Sequence, residues 1–591
     1  MTPELQPLFD KHAAAFRARH RILGTEPLEK LLEKLSPDDL AALQEGVAHG
    51  RWYAKGKLLH SERDPRREAK RAAEGFAEAR ALICISAGAG YLLPALPAAV
   101  KQVLIVESDP FCLAAFFLAG EFLNFRGEIT LFNDSLERAD ALEEILPWLQ
   151  GKNLKRTLIY CHAPLLQIDK GRVTRAYERV LQLFEKRSVN QATIVKFQQL
   201  WNKNIFLNRR AMAASGSMKT IWDIHPPEAI VLAGAGPSLA ESYADLKQNR
   251  KLFILFAADT ALIPLAKAGV YPDFVFSADP QWLNHFFAQS AAAAKSVWVM
   301  DPVVCPAIPR FVQHCGAQTL FWNNVFLADT HFRLEDRGDV AHGGSVSTNA
   351  FDVAVAWLYR RSAGQGRLIL VGQDLSFSNR QAHTKGAVLE AQVYARSHRL
   401  RTMEQHNLAQ MKAMPVVWQR GIRQEKVRTN GKLKIFHDWF EARAADTDKQ
   451  KIRLVNATAD GARLNGFEHL PLAEALQGVT PHKAPAVAIC VTGTIKPAGD
   501  LLGRLSQVQK LMHENEKLAR EKNPASAQIE KLNRNDAEFK SLGFAKEIVA
   551  LNAQALILKI TEQGEDVDAP EFYGAMRRAA RAIRHWANKV I

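Results

Sequence analysis

The feature that most constrains this chain is a series of short apolar runs, each of which stops at a glycine or a polar residue. Six runs follow one another between residues 228 and 374: EAIVLAG, LFILFAAD, DFVFSAD, SVWVMD, QTLFW and RLILVGQD. Runs this short and apolar, separated by helical stretches, are typical of strands buried on both faces of a parallel sheet. The pattern predicts an α/β fold in which strands and helices alternate.

A second series of the same kind lies nearer the N-terminus, with the runs ALICIS, KQVLIVE, EITLF and RTLIYC between residues 81 and 161. We therefore expect a Rossmann-like central domain and a second Rossmann-like domain in the N-terminal part. Residues 1–75 have helical spacing, with a helix start at Ser36-Pro37. A long connecting helix is expected over residues 190–215.

The last part of the chain has a different composition. Around residues 479–500 the pattern becomes irregular and proline-containing, and from Leu501 onward it is charged and helical, which predicts an all-α C-terminal domain. At about 100–200 residues per domain, 591 residues imply roughly three domains. We place them at residues 1–205, 206–478 and 479–591.

Composition excludes several classes of protein. With 47% hydrophobic and 24% charged residues, the chain is not disordered or collagen-like. Six cysteines without a CxxC pair, and a start without an apolar signal segment, predict a reduced, cytoplasmic protein. Ala81 to Val100 is an uncharged run of membrane-spanning length, but its glycines and prolines favour a strand, a turn and a helix, so no membrane span is expected.

The formal charge of +15 indicates anionic partners, since a surplus of lysine and arginine attracts them. No nucleic-acid-reading motif accompanies that charge, so a phosphorylated small substrate fits at least as well. A first glycine loop, SAGAGYLLPAL, precedes Glu107 at the end of the next strand. This spacing matches a ribose-binding acid in a nucleotide site, but glycine turns between strand and helix are common, and a purely structural turn is the alternative.

The second glycine loop, VLAGAGPSLAES, closes a strand and opens a helix. Gly234 and Gly236 permit a tight turn, Pro237 suits a first helical turn, and Ser238 can cap free N–H groups or bind a phosphate. We expect an anion site here, with a capped turn that binds nothing as the alternative.

Polar residues follow the next two strands as well. Asp259 and Thr260 end one, and Ser277 and Asp279 end the other, which puts them on the carboxyl edge beside the GAGPS loop. Either acid could hold a ribose, a Mg²⁺ ion or a sugar hydroxyl. Alternatively, Asp259 caps the following helix.

A further cluster surrounds the last strand of the central series. Small and hydroxyl-bearing residues precede an amphipathic helix and predict a second anion-friendly N-terminus: Gly344, Ser345, Ser347, Thr348 and Asn349. Gln373 and Asp374 then end a strand. His383 follows in the next loop and is the best general acid/base candidate, because imidazole titrates near neutrality. The alternative is a surface histidine without a role.

In this order, several segments resemble the motility-associated factor (Maf) family of flagellin glycosyltransferases. They are GAGPSL, AADTALIPLAKAGVYPDFVFSADP, HGGSVSTNAFDVA, VGQDLSFSNRQAHTKG, VRTNGKLKIFHDWFE and NATADGARLNG. The resemblance covers roughly residues 205–470 and extends less specifically into the N-terminal part. The family's central domain is similar both to sialyltransferases that use CMP-sialic acid and to a 6-hydroxymethylpterin pyrophosphokinase (MptE-like), so fold alone leaves both reactions open.

The resemblance implies a role for each motif. The GAGPSL loop would cradle the CMP phosphate and ribose, and GGSVSTN would lie beside the cytidine. GQDLSF followed by His383 resembles the segment that supplies the catalytic histidine, whereas Asp259 stands where the sialyltransferases have asparagine. The donor-binding residues would be Gly234, Gly236, Pro237, Ser238, Thr260, Ser277, Asp279, Gly344, Ser345, Ser347, Thr348, Asn349, Gln373 and Asp374, with His383 and Asp259 catalytic.

The function implied is transfer of a nonulosonic acid, of the pseudaminic, legionaminic or sialic type, from its CMP-activated donor to Ser or Thr of flagellin. Flagellum assembly and motility would depend on it. No tightly bound cofactor is expected, and Mg²⁺ is possible. Two alternatives stay open: a Mg²⁺-dependent pyrophosphokinase with Asp259 and Asp279 as ligands, and a non-catalytic factor whose helical C-terminal region binds flagellin.

Overall fold

The computed structural model describes residues 2–24, 27–133, 145, 148, 156–324, 336–361, 364–400, 402–481, 501–521, 525–561 and 569–588. The chain divides into two compact units, residues 1–193 and 194–591. Both are built around parallel sheets, as the apolar runs predict.

The first unit contains a five-stranded, all-parallel sheet with the order β1-β6-β5-β4-β7. The four predicted runs are confirmed as its β4 to β7. A short antiparallel pair, β2 and β3, lies outside that sheet. The strands are β1 (Arg21–Leu23), β2 (Tyr53–Ala54), β3 (Lys57–Leu58), β4 (Ala81–Ile85), β5 (Gln102–Val106), β6 (Glu128–Phe132) and β7 (Thr157–Cys161).

Helices flank this sheet, and phenylalanines from two of them, Phe9, Phe16, Phe116 and Phe117, pack edge-on in the core. Ser36 and Asp39 form a capping box at the predicted helix start. The prediction of helices alone over residues 1–75 was wrong for β1, β2 and β3, which are too short to show a periodicity. The helices are α1 (Gln6–Arg19), α2 (Leu28–Leu32), α3 (Pro37–His49), α4 (Pro65–Ala73), α5 (Leu92–Ala95), α6 (Pro110–Ala119), α7 (Leu165–Ile168) and α8 (Lys170–Ala213).

The long connecting helix is confirmed as α8, which begins about 20 residues earlier than expected and has 44 residues. The uncharged run at residues 81–100 forms β4, a glycine turn and the short α5. Within the described ranges, no helix combines the length and the apolar character that a membrane crossing requires.

The second unit contains a nine-stranded, all-parallel sheet with the order β18-β17-β14-β9-β10-β11-β12-β13-β8. All six predicted runs of the central series are confirmed as β9 to β14. Its strands are β8 (Gly216–Ser217), β9 (Ala229–Ala233), β10 (Ile254–Ala258), β11 (Phe274–Ser277), β12 (Val297–Met300), β13 (Thr319–Phe321), β14 (Gly366–Val371), β17 (Ile452–Asn456) and β18 (Glu468–His469).

A separate antiparallel hairpin, β15 (Val416–Arg420) and β16 (Lys426–Asn430), is inserted between β14 and β17. The helices of this part are α9 (Tyr243–Gln248), α10 (Asp259–Lys267), α11 (His285–Ala288), α12 (Ala307–His314), α13 (Val346–Leu358), α14 (Val388–Ala395), α15 (Met403–Lys412), α16 (Gly431–Asp446) and α17 (Leu472–Ala475).

The strand order of this sheet reverses direction between β9 and β14. From β9 the chain adds strands on one side up to β13, and it then returns through α13 to place β14 on the other side of β9. In open α/β sheets, ligands bind at the carboxyl ends of the strands at such a reversal, because the loops diverge there and leave a crevice. The GAGPS loop follows β9 and the GQD segment follows β14, so the reversal brings these two motifs together.

The C-terminal region is helical, as predicted. Its helices are α18 (Leu501–Ala519), α19 (Ser526–Lys540), α20 (Phe544–Thr561) and α21 (Ala569–Asn588). They share a buried core that includes Leu505, Met512, Ile548 and Ile583. Most of the predicted boundary at 479–500 lies outside the described residues, so the three-domain division stays a prediction.

Candidate functional site

The loops after β9 and β14 approach each other so closely that only glycine fits. Gly236 N donates to Gly372 O at 2.9 Å. A Cβ atom on Gly236 would lie 2.1 Å from Asp374 Oδ1, and one on Gly234 would lie 2.5 Å from Gln373 Nε2. The two glycines predicted for a tight turn are therefore required for contact between two neighbouring loops.

Asp374 fills the space beside the GAGPS loop. The Ser238 hydroxyl donates to Asp374 Oδ1 at 2.9 Å, and Ser238 N donates to Oδ2 at 3.1 Å. Burial raises the pKa of Asp374 to about 7, against the hydrogen bonds from Ser238 and Ser378, which lower it. The groups of Ser238 expected to meet a phosphate thus meet a carboxylate of the same chain.

The helix predicted after this loop differs from the expectation. Pro237–Ser242 is a 3-10 helix of six residues whose N-cap is Gly236, and α9 follows it. Ser238 therefore does not cap the turn, because its side chain and its N–H are both directed to Asp374.

Gln373 joins the β14 loop to α13. Its Nε2 donates to Ser347 Oγ at 3.0 Å, and its backbone N donates to Thr458 Oγ1 at 3.1 Å. At the start of α13, Thr348 Oγ1 accepts from Gly343 N at 3.1 Å and from Ser345 N at 3.4 Å.

The rest of the HGGSVSTN segment closes on itself in the same way. Gly344 has a φ of +87°, which favours glycine. Asn349 Nδ2 donates to Ala341 O at 3.1 Å and lies 3.1 Å from His342 Nδ1. The segment predicted to meet the donor therefore forms a self-bonded turn, with Ser347 connected to the β14 loop.

His383 lies against the GAGPS loop. Its imidazole forms a hydrogen bond with the Ala235 backbone, and the N–H of the next residue, Thr384, donates to Ala235 O at 2.9 Å. Burial lowers the pKa of His383, and the nearby Lys432 lowers it further, against the bond to Ala235. A neutral imidazole at pH 7 can accept a proton, as a general base must.

A second buried carboxyl lies at the ends of β10 and β11. Ser277 Oγ donates to Asp259 Oδ2 at 2.6 Å, and Thr260 N donates to Oδ1 at 2.7 Å. Burial raises the pKa of Asp259 to about 7, and the nearby Asp279 contributes in the same direction. Asp259 is also the first residue of α10, so its bond to Thr260 N gives it part of the capping role.

The predicted residues thus form two groups along one sheet edge. The first, around Asp374, contains Gly234, Gly236, Ser238, Ser347, Gln373 and His383. The second, around Asp259, contains Thr260, Ser277 and Asp279. Among the described residues, no hydrogen bond joins the two groups, although β9 and β10 are adjacent strands.

No site role was predicted for the residues that follow β17, although their segment NATADGARLNG is among those that resemble the Maf family. Ala462 N donates to Asp374 O at 2.7 Å, and Asp460 contributes to the raised pKa of Asp374. Gly461 has a φ of +122°, and a Cβ there would lie 2.2 Å from Asp374 O. The run KIRLVNATADG has the same form as the other buried strands and their polar ends, so that pattern could have identified them.

The segment after Asp374 has unusual backbone geometry. Leu375, Asn379 and Arg380 have φ values of 51°, 51° and 58°, in the left-handed region that glycine and, less often, asparagine adopt readily. Residues held in this region are concentrated at functional sites, where surrounding structure maintains the strain.

In the first unit, the SAGAG loop is filled by the chain's own side chains. Arg172 Nη1 donates to Glu107 Oε1 at 2.6 Å, and the Ser86 hydroxyl donates to Oε2. A Cβ on Gly88 would lie 2.6 Å from His60 Nε2. Both carboxylate oxygens of Glu107 are therefore engaged, which favours the structural alternative for this turn.

Among the described residues, one group of three has the spacing of metal ligands: His437, Asp438 and Glu441. His437 Nε2 lies 2.9 Å from the carbonyl oxygen of Arg463, which can only accept, so this nitrogen donates, and Nδ1 lies 3.2 Å from Asp438 Oδ1. Glu441 Oε1 accepts from Asn465 N at 2.7 Å. The cluster fastens α16 to a loop.

Comparison with known proteins agrees with the motifs. A family model described as MptE-like, 6-hydroxymethylpterin diphosphokinase, matches residues 203–380. The solved structure of a Maf glycosyltransferase from Magnetospirillum magneticum AMB-1 is similar with a TM-score of 0.52 at 12% identity, over 95% of both chains. The similarity to the Maf fold with an MptE-like centre is thereby confirmed.

Two curated relatives match shorter stretches. Both are uncharacterized proteins of Treponema pallidum (strain Nichols). One is 33% identical over 91 residues, which are 15% of this chain and 42% of the relative. The other is 26% identical over 166 residues, which are 26% of this chain and 40% of the relative. The chain therefore spans less than half the length of either.

Proposed function

We propose that this chain is a glycosyltransferase that moves a nonulosonic acid from its CMP-activated donor to Ser or Thr hydroxyls of flagellin. The observation that carries the proposal is the position of His383, which is held against the GAGPS loop at the reversal of the strand order. Similarity to the Maf structure over nearly the whole chain supports glycosyl transfer in particular.

The proposed step needs few groups from the protein. The acceptor oxygen forms a bond to C2 of the sugar while the bond from C2 to the phosphate oxygen breaks, and direct displacement inverts the anomeric centre. His383 takes the proton of the acceptor hydroxyl. CMP departs with the bonding electrons, and hydrogen-bond donors near its phosphate stabilise the charge.

Ser238 is the candidate for that phosphate contact. The Asp374 carboxylate lies where an anion would sit, with the Ser238 hydroxyl and N–H directed to it. Because its pKa is about 7, Asp374 is partly protonated at neutral pH. In the proposal, donor binding displaces Asp374 from Ser238, and the protonated form makes that exchange easier.

The test is a transfer assay with unglycosylated flagellin and a CMP-nonulosonic acid. Its two readouts are the amount of CMP released and the mass of the flagellin product. His383→Ala should reduce transfer by about 10²-fold or more, the usual contribution of a general base. CMP binding by calorimetry should persist. His314→Ala, on an exposed histidine at the end of α12, is the matched control and should transfer normally. Full activity of His383→Ala would contradict the assignment.

A second candidate function follows from the family-model match. A pyrophosphokinase would bind ATP with Mg²⁺ and release AMP, with Asp259 and Asp279 as ligands. Each Asp259 oxygen accepts one hydrogen bond and keeps a second lone pair, which is available to a metal ion. Calorimetry with ATP and Mg²⁺ beside CMP distinguishes the two: binding of ATP with Mg²⁺ alone would favour the kinase. Binding of neither would favour a non-catalytic flagellin-binding factor.

A further inference from the structure

The insertion between β14 and β17 concentrates the positive charge of the chain. Residues 385–432 contain ten lysines and arginines against three glutamates. The same insertion exposes apolar side chains, with Tyr394 75%, Leu400 82% and Trp418 62% accessible. A surface that is both cationic and apolar attracts a partner with acidic and apolar groups.

Within the insertion, one edge of strand β15 is open. β15 and β16 form a sheet of two strands, in which Trp418 pairs with Arg428. Arg428 O accepts from Phe377 N on the far side of β16, so Arg428 directs its backbone groups away from β15. The pair with Trp418 is therefore a non-hydrogen-bonded one, and the Trp418 N–H and C=O point to the outer edge of β15.

The same alternation applies two residues to either side. Arg420 O points to the outer edge and accepts from Arg463 N at 2.8 Å. By the same register, the backbone N–H and C=O of Val416 point to the outer edge, like those of Trp418. Outside the hairpin, the described residues give the backbone of Val416 and Trp418 no hydrogen-bond partner. Unpaired edge groups of this kind are a template for another strand, and proteins usually cover them.

The open edge is continuous with the candidate site. At its end, Arg463 already occupies the position of a neighbouring strand beside Arg420, and Ala462 N donates to Asp374 O. On the other side of the hairpin, Thr429 Oγ1 donates to Leu375 O at 2.8 Å. A strand added along β15 would therefore end next to the loop that carries Asp374 and leads to His383.

We propose that the outer edge of β15 binds an extended, acidic segment of the acceptor polypeptide by strand addition, with Trp418 and Val416 contacting its alternate side chains. The inference rests on the proposed function and names the way in which its protein acceptor docks. A polypeptide fits because alternating N–H and C=O groups pair with a strand. A lipid surface would use the charge and the tryptophan but not the backbone groups.

The test measures binding of unglycosylated flagellin to the full chain, apart from any transfer. Trp418→Ala should raise the Kd about tenfold. This is the size of effect expected when an aromatic anchor that becomes buried in an interface is removed. Trp418→Pro also removes the outward N–H without removing a bond to β16, and it should weaken binding several-fold more. Trp282→Ala, on an exposed tryptophan elsewhere in the same unit, is the matched control and should bind like the wild type.

The remaining outcomes separate this inference from the proposed function. Equal binding by wild type and both Trp418 variants would overturn the docking site, while CMP binding and transfer would still stand. Flagellin binding that depends on Trp418 without CMP binding would uphold the docking site and overturn the transferase. If the wild type does not bind flagellin, docking of this acceptor is also overturned. The same holds if the Trp418 variants lose binding to phosphatidylglycerol vesicles but keep binding to flagellin.

Discussion

Asp374 is a buried acid whose pKa lies near neutral pH. Its pKa is raised from 3.8 to about 7, so the folded chain binds a proton more tightly there than the unfolded chain does. Between those two values stability falls as pH rises, because the native state holds the larger number of protons. Above pH 7 the folded chain must hold a buried negative charge.

Replacing this charge should change how stability depends on pH. Asp374→Asn cannot ionise, so its free energy of unfolding should fall by less than that of the wild type between pH 4 and pH 8. The full linkage is roughly 4 kcal/mol, and we expect about half of it in practice. Urea unfolding at both pH values measures the difference. Asp446→Asn, on an exposed aspartate, should follow the wild type, and parallel curves for all three proteins would contradict the prediction.

His383 differs from Asp374 in the direction of its pKa. Burial and Lys432 lower the pKa of the imidazole, so its neutral form persists to pH values below 6.5. If His383 is the base, the acidic limb of kcat should lie below pH 6.5. In Asp374→Asn that limb should remain, while the contribution of Asp374 to a transition near pH 7 disappears and that of Asp259 stays. A limb centred above 6.5 in both proteins would assign the base elsewhere.

At the scale of the element, the β9 and β14 loops depend on a close approach. Gly236→Ala would place a Cβ 2.1 Å from Asp374 Oδ1 and 2.5 Å from Gly372 O, so the two loops must separate. We expect a destabilisation of roughly 3 kcal/mol or more, as for other forced core rearrangements, together with loss of the proposed CMP binding. Thermal unfolding and calorimetry test this. Gly75→Ala meets nothing within 4 Å and should leave both unchanged.

The strands were predictable from sequence because burial on both faces gives each one a continuous apolar run. β14 (Gly366–Val371), for example, is almost entirely buried along its length. The contact between Ser238 and Asp374 was not predictable in the same way. It joins residues 136 positions apart and depends on which strands become neighbours, a property that no local pattern records. Ser238 was assigned to a ligand for that reason.

At the scale of the whole molecule, the surplus charge predicts how partners arrive. The net charge is +15, and the insertion at residues 385–432 carries ten of the basic residues. Salt screens such a field beyond about 8 Å at physiological ionic strength. The association rate with flagellin, the proposed acceptor, should therefore fall several-fold between 50 and 300 mM NaCl, with a smaller change in dissociation rate. Stopped-flow mixing measures both, and a salt-independent association rate would contradict electrostatic steering.

The left-handed residues after Asp374 have a consequence for protein engineering. Leu375, Asn379 and Arg380 each hold a conformation that costs on the order of 1 kcal/mol for a residue with a side chain. A laboratory selection for heat resistance would accept glycine at these positions. A selection for catalytic turnover would reject the same changes if the loop must stay rigid to hold His383. The two selections would therefore drive this loop in opposite directions, and their conflict would identify which of its residues serve the reaction.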